Sequence, residues 1–221
     1  LLNFGNMSIH IVTGKPRAGK SYFMVSRIIR DIKKGIPCYL NFKVDLTKYP
    51  FTAKELRAGL GSIYYWKKVK DFINIPEGHI YVDEAYTLFG SKDWQKLPME
   101  VMSKFLTHGH YSIDIWACSQ SQKRINNTIR EVVNYAYRVK SLKLPFLPRF
   151  FVTQLLDPDE LMSDKVRPQV WDRYYYFFKQ SIANCYDTLD KSFVTFEIDK
   201  NYKFECLFNG KSAGNLAGDK I

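Results

Sequence analysis

The chain has 221 residues, 46% of them hydrophobic and 25% charged, a balance that suits one sizeable α/β core and excludes a disordered or collagen-like chain. Its four cysteines, Cys38, Cys118, Cys185 and Cys206, are scattered with no C-x-x-C pair, which argues against a disulfide framework or a zinc site and predicts buried free thiols. No apolar run reaches the roughly 18 residues that cross a bilayer, no signal-peptide pattern opens the chain, and the net charge of +11 favours an anionic partner, either nucleic acid or an acidic lipid surface.

Residues 1–6 precede Met7 and read as a remnant outside the fold. Ser8–Thr13 is a β-rich run that enters a glycine-containing loop. Ser21–Lys34 then carries Phe23, Met24, Ile28, Ile29 and Ile32 near helical spacing, and Gly35 ends that helix. A strand over Pro37–Phe42 leads into a polar, Lys-rich connection, left unassigned through about Asn74. Further strands are expected at Gly78–Val82, Ser112–Cys118 and Tyr135–Val139, with helices at Met99–Thr107 and Arg124–Val133. Strands alternating with helices predict a parallel sheet joined by right-handed crossovers. After Pro145 the chain turns proline-punctuated and aromatic, with Trp171 and the run Tyr174–Phe178; this reads as strands and loops over one sheet edge, the aromatic run fitting a packed strand better than a base-stacking surface. The basic residues Arg27, Arg30, Lys33 and Lys34 fit a solvated helix face as well as a binding site.

The segment Gly14, Lys15, Pro16, Arg17, Ala18, Gly19, Lys20, Ser21 matches G-x-x-x-x-G-K-[ST] between a predicted strand and a predicted helix, the context such a phosphate loop needs. Its backbone N–H groups and the helix N-terminus suit phosphate, Lys20 is placed to reach the β- and γ-phosphates, and the Ser21 hydroxyl to ligate Mg²⁺. The run Ile80–Glu84 ends a strand with two acids. Asp83 is the expected second Mg²⁺ anchor, and Glu84 the base that orients and polarises the attacking water. Gln120, just past the strand at 113–118, is placed to sense the γ-phosphate or that water. Arg130, ahead of Arg124, is the candidate cation acting on a neighbouring subunit's nucleotide. His108 and His110 lack an obvious third ligand and read as a helix end rather than a metal site.

With these residues in place, the chain resembles the zonula occludens toxin family, which includes the assembly ATPases of filamentous phages. The resemblance rests on Ile11-Val12-Thr13-Gly14-Lys15, then Val82-Asp83-Glu84-Ala85 with Phe89 and Trp94. It continues through Phe105-Leu106-Thr107-His108, Ile113-Asp114-Ile115, Gln120, Ile129-Arg130 and Tyr186-Asp187-Thr188. It implies an α/β P-loop NTPase, mainly a parallel sheet with helices on both faces, with residues 7–144 as the core and 145–221 as a strand-rich extension packed on it. It also implies an ATP- and Mg²⁺-dependent ATPase that works as a homo-oligomeric ring at the cytoplasmic face of the bacterial host inner membrane. There such a motor drives virion export with coat and other assembly proteins, on single-stranded DNA, and is attached through a span that this segment precedes. The family often carries a basic residue where Gly109 or His110 stands, and the toxin activity in its name is assigned to a periplasmic tail, so none is expected of these residues. A DNA translocase or packaging ATPase shares the loop, the acid pair and the charge. A small-molecule kinase fits less well, because a base beside the metal ligand would spend ATP on water, and no Asn-Lys-x-Asp segment favours GTP.

Overall fold

The computed structural model describes residues 7–66, 68–90, 98–142, 149–161, 169–186 and 205–206, with backbone alone at 160–161 and 205–206. Residues 1–6, Trp94, Asp187, Thr188 and the segment around residue 145 lie outside the described residues.

The chain begins with β1 (Ile9–Thr13), the phosphate loop and α1 (Lys20–Lys33), followed by β2 (Cys38–Leu40), α2 (Ala53–Ala58), β3 (Ile63–Tyr65), α3 (Val69–Asn74) and β4 (Gly78–Val82). Next come α4 (Tyr86–Phe89), α5 (Met99–Thr107), β5 (Ile113–Ser119), α6 (Asn127–Glu131) and β6 (Tyr135–Leu142). The chain closes with β7 (Phe150–Leu156), β8 (Val170–Phe177), α7 (Gln180–Ala183) and β9 (Glu205–Cys206). Among the described residues the sheet order is β8-β7-β6-β1-β5-β4-β2-β3-β9. The stretch from β6 to β3 is parallel throughout, whereas β7, β8 and β9 are antiparallel to their neighbours. No helix among the described residues is long and apolar enough to cross a membrane.

Strand alternation sorts the core into two layers. Ile9, Ile11, Ile80, Val82, Ile113 and Ile115 face α3, α5 and α6, where Phe72, Phe89 and Phe105 pack. The intervening residues face α1, whose Phe23, Met24, Ile28, Ile29 and Ile32 are all buried. Burying each such side chain contributes about 1.5–3 kcal/mol, which holds α1 although its sequence is also rich in charge. Cys38, Cys118 and Cys185 are free and buried.

Several expected elements are redrawn. The helix expected over Arg124–Val133 shrinks to α6, because Ile125 is extended in a bridge to Gly90 and the Asn126 side chain caps the helix by accepting from Thr128 N–H at 2.8 Å. The unassigned stretch before Asn74 holds β3 between two short helices, and α2 starts on a capping box in which Thr52 and Glu55 exchange hydrogen bonds of 3.3 and 2.7 Å. The aromatic run is a strand, but an edge strand rather than a packed one: Tyr174, Tyr175 and Phe177 are 46%, 60% and 58% exposed. Among the described residues Tyr22 of α1 packs on one face of β8, its ring stacking near Tyr176 and its hydroxyl accepting from Lys179 N–H at 2.9 Å.

The α1 side of the sheet also buries charge. His79 lies between two carboxylates, Nδ1 at 2.7 Å from Asp31 and Nε2 at 3.3 Å from Asp114, and Tyr81 donates its hydroxyl to Asp31. Asp114 also accepts Ser8 N–H at 2.7 Å. Burial works to raise the Asp31 carboxyl, but the hydrogen bonds from His79 and Tyr81 and the charges of His79 and Arg27 outweigh it and hold the group below its ordinary value. Burial dominates at Asp114 and pushes that carboxyl up. A depressed carboxylate contributes stability that is present above its unfolded-state pKa and is lost as pH falls through the folded one. Asp31→Asn is therefore expected to destabilise the fold by about 3–5 kcal/mol near neutral pH, the cost of breaking a buried pair. Urea unfolding of both proteins across pH should show this gap closing on the acid side; a gap independent of pH would contradict the assignment.

Candidate functional site: a phosphate loop facing an acid pair

The loop leaves β1 and enters α1 through Gly19, which sits at φ +98°. A side chain there would be strained, and a Cβ would lie 2.3 Å from the Phe151 ring, so the position admits glycine on two grounds. The loop closes on itself through Ala18 N–H to the Lys15 carbonyl at 3.1 Å, with Arg17 at φ +62°. Two strands brace it from outside: the Arg17 carbonyl accepts from Arg149 Nη2 at 3.2 Å and from the Ser141 hydroxyl at 3.5 Å. Lys20 is buried, with its ammonium 3.4 Å from the Lys15 carbonyl.

Parallel pairing of β1, β5 and β4 brings three strand ends to the same edge of the sheet. The Ser21 hydroxyl donates to Asp83 Oδ2 at 3.4 Å, joining residues 62 positions apart. Asp83 is clamped by a residue absent from the sequence-based candidates: Asn41 Oδ1 accepts Asp83 N–H at 2.7 Å, and Asn41 Nδ2 donates to the Asp83 carbonyl at 3.0 Å. Asn41 follows β2, and its role depends on β2 lying beside β4, which local sequence does not show.

Glu84 has φ +48°, a sparsely populated conformation for a residue with a side chain. Its N–H donates to Asp83 Oδ1 at 2.9 Å, and the next N–H, that of Ala85, donates to the Cys118 carbonyl at 2.7 Å. The turn thus points two successive acids in different directions. The Glu84 carboxylate is hydrogen-bonded by the Gln120 amide, whose Oε1 accepts from Arg124 at 3.4 Å. Glu84 Oε2 is buried with no hydrogen-bond partner among the described residues. Burial, then the Asp83 charge, raises the Glu84 carboxyl above its ordinary value, against the opposing pull of Gln120, Lys20 and Arg124.

The Arg124 guanidinium also lies 5.1 Å over the Tyr86 ring. Within one chain Arg124, rather than Arg130, reaches the Glu84–Gln120 pair; Arg130 donates to Asn127 on its own short helix. A cleft of about 720 Å³ opens beside the loop, lined by Gly14–Ala18, Gln120 and the backbone and basic side chains of 138–142. Ser21 and the acid pair lie outside that lining. His108 sits at the helix end expected for it, its ring 2.7 Å from the Phe105 carbonyl and 3.2 Å from that of Met7.

The donor set fits a divalent cation held by one carboxylate, one hydroxyl and phosphate oxygens, the sparse protein ligation that Mg²⁺ favours. A buried, unpartnered Glu84 oxygen beside it fits a proton acceptor.

The chain is similar to the Gene 1 protein of Enterobacteria phage I2-2, 27% identical over 164 residues, and to the Gene 1 protein of Salmonella phage IKe, 25% identical over 164 residues. Each match covers 64% of this chain and 43% of the phage protein, so the chain spans less than half the length of these relatives. Among solved structures, the N-terminal domain of zonular occludens toxin from Neisseria meningitidis superposes with a TM-score of 0.51 at 23% identity, over 81% of this chain and 98% of that one. The genome packaging NTPase B204 from Sulfolobus turreted icosahedral virus 2, in complex with ATP-gammaS, superposes with a TM-score of 0.50 at 13% identity, over 78% and 98%. Together with the strand order and the loop, these likenesses make the fold that of a P-loop NTPase with a strand-rich C-terminal part. Residues 8–172, three-quarters of the chain, match the family model for zonular occludens toxin (Zot), and the protein belongs to that family.

Proposed function

We propose that this chain is the ATP-hydrolysing motor domain of a phage assembly and export protein. The observation that carries the reading is the 3.4 Å meeting of Ser21 and Asp83, with Glu84, Gln120 and Arg124 grouped beside it. Backbone N–H groups of Gly14–Ser21 and the Lys20 ammonium bind the phosphates of ATP, and Ser21 and Asp83 hold Mg²⁺. When bound there, Mg²⁺ would supply positive charge that offsets the charge developing on the phosphates. Asn41 keeps Asp83 aimed at it. Glu84 takes a proton from water as the water oxygen bonds to the γ-phosphorus and the bond from that phosphorus to the β–γ bridging oxygen breaks, yielding ADP and phosphate. Gln120 orients the carboxylate and the water, and Arg130 is retained as a cation offered to a neighbouring subunit in a ring.

The likeness to phage Gene 1 proteins supports a role in phage assembly, and we place this motor at the cytoplasmic face of a host inner membrane, working with coat and other assembly proteins. A second reading, a DNA-packaging translocase, is favoured by the net charge of +11 and by the fold shared with a genome packaging NTPase.

Lys20→Ala should lower nucleotide turnover on the order of 100-fold or more, the usual cost of losing one preorganised donor; turnover at the wild-type rate would remove the loop from the reaction. Glu84→Gln should bind ATP normally but hydrolyse it on the order of 100- to 10,000-fold more slowly, as expected for a lost general base. Because burial raises the Glu84 carboxyl, the wild-type rate should fall with decreasing pH earlier than an ordinary glutamate would allow. Asn41→Ala should cost about 1–3 kcal/mol of stability, from the Asp83 backbone groups it leaves unpaired, and raise the Mg²⁺ concentration needed for half-maximal ATP binding by about 10-fold or more, as for other groups that orient a metal ligand. Turnover that climbs more than linearly with protein concentration would support the ring, and stimulation by single-stranded DNA would favour the translocase.

A further inference from the structure

A second cleft, of about 710 Å³, opens between α1 and β8 and shares no lining residue with the nucleotide cleft. Its lining includes Arg27, Arg30, Lys33 and Lys179 and no carboxylate. Lys33 is engaged by Glu55 at 2.7 Å, but Arg30 and Lys179 are exposed and have no acidic partner among the described residues. Arg27 is held in place: its guanidinium lies 4.5 Å over the Trp116 ring, its charge is felt by the buried Asp31 and Asp114, and its Nε is buried without a hydrogen-bond partner among the described residues. Beneath it Trp116 stacks on His10 at 3.7 Å and near Tyr137 at 5.6 Å. The opposite wall is the edge strand, whose Tyr174 faces α1 and is 46% exposed, whereas the Tyr175 ring lies on the other face of the sheet against Phe150. Asp172 accepts from the Tyr174 hydroxyl and raises its pKa.

We propose that this cleft binds single-stranded nucleic acid, with Arg27, Arg30 and Lys179 on the phosphates and Tyr174 stacking on an unpaired base. Cations beside an exposed ring are what a flexible strand requires, since every base offers a π-face and every nucleotide a charge. An anionic lipid surface would satisfy the cations, but a flat surface does not enter a cleft between a helix and a strand, and it leaves the Tyr174 ring without a partner. A second copy of the same basic patch would repel it. The inference rests on the motor reading for its biological sense, and it is tested without nucleotide, so failure of the hydrolytic site would leave the result standing.

Dye-labelled oligothymidine is titrated with the chain and followed by anisotropy, beside a duplex of equal length and phosphatidylglycerol vesicles. The chain should bind the single strand more tightly than the duplex, and three phosphate contacts predict an affinity loss of about 20-fold between 50 and 200 mM salt. Arg30→Glu should weaken binding by about 10-fold or more and Tyr174→Ala by roughly 5- to 100-fold, both variants keeping the wild-type melting curve and ATP turnover. The proposal is overturned if the wild-type chain fails to bind the oligonucleotide, if both variants bind as well as wild type, or if Arg30→Glu loses vesicle binding alone. An effect of Arg30→Glu without any effect of Tyr174→Ala would reject the stacking role and with it the single-strand assignment.

Discussion

The parallel pairing of β1 with β5, and of β5 with β4, governs the rest of the molecule. Strands that run the same way end on the same side, so the groups that follow them converge without any further device. The phosphate loop follows β1, the acid pair follows β4, and Gln120 follows β5; their meeting is a consequence of strand direction. Parallel strands must also be covered on both faces, because their crossovers cannot leave one side to water. This is why β1, β4 and β5 are buried at every position and why two separate apolar layers exist.

Burial on both faces has a cost that the α1 layer displays. His79 and Asp114 are strand residues, and alternation turns them inward, where an isolated charge would be expelled or neutralised. They are tolerated because Asp31, on the helix that covers them, completes a hydrogen-bonded set with His79 and Tyr81. The same layer holds Arg27 over Trp116, so the helix that begins at the phosphate loop also carries a cation of the second cleft. The phosphate loop and the basic groove therefore share one element, the loop at its N-terminus and the groove along its side.

The antiparallel strands after β6 serve the loop from outside. Phe151 packs against Gly19, and Arg149 with Ser141 holds the Arg17 carbonyl, so the C-terminal part buttresses the nucleotide site instead of merely flanking it. That packing consumes one face of β7 and β8 and leaves the outermost strand with its aromatic residues half in water. A strand rich in Tyr and Phe invites the expectation of a packed core, but burial is set by what lies beside it, and nothing among the described residues lies beyond β8.

What the amino-acid sequence determined by itself was contiguous. The strand, the glycine-bearing loop and the helix that follow one another from Ile9 to Lys33 can be read because each signal, apolar run, turn and 3.6-residue period, is local. Likewise the acids Asp83 and Glu84 can be assigned to the end of an apolar strand. Tertiary structure decided the rest. Asn41 became the clamp on Asp83 because β2 lies beside β4. Arg124 rather than Arg130 reached Gln120 because Ile125 is drawn into a bridge and shortens the helix. Asp31, His79 and Asp114 formed one buried set because strand order brought together residues more than thirty positions apart in the chain. Periodicity reports which way a side chain faces within its own element, whereas a contact between elements depends on the sheet order, which is chosen by the packing of the whole chain.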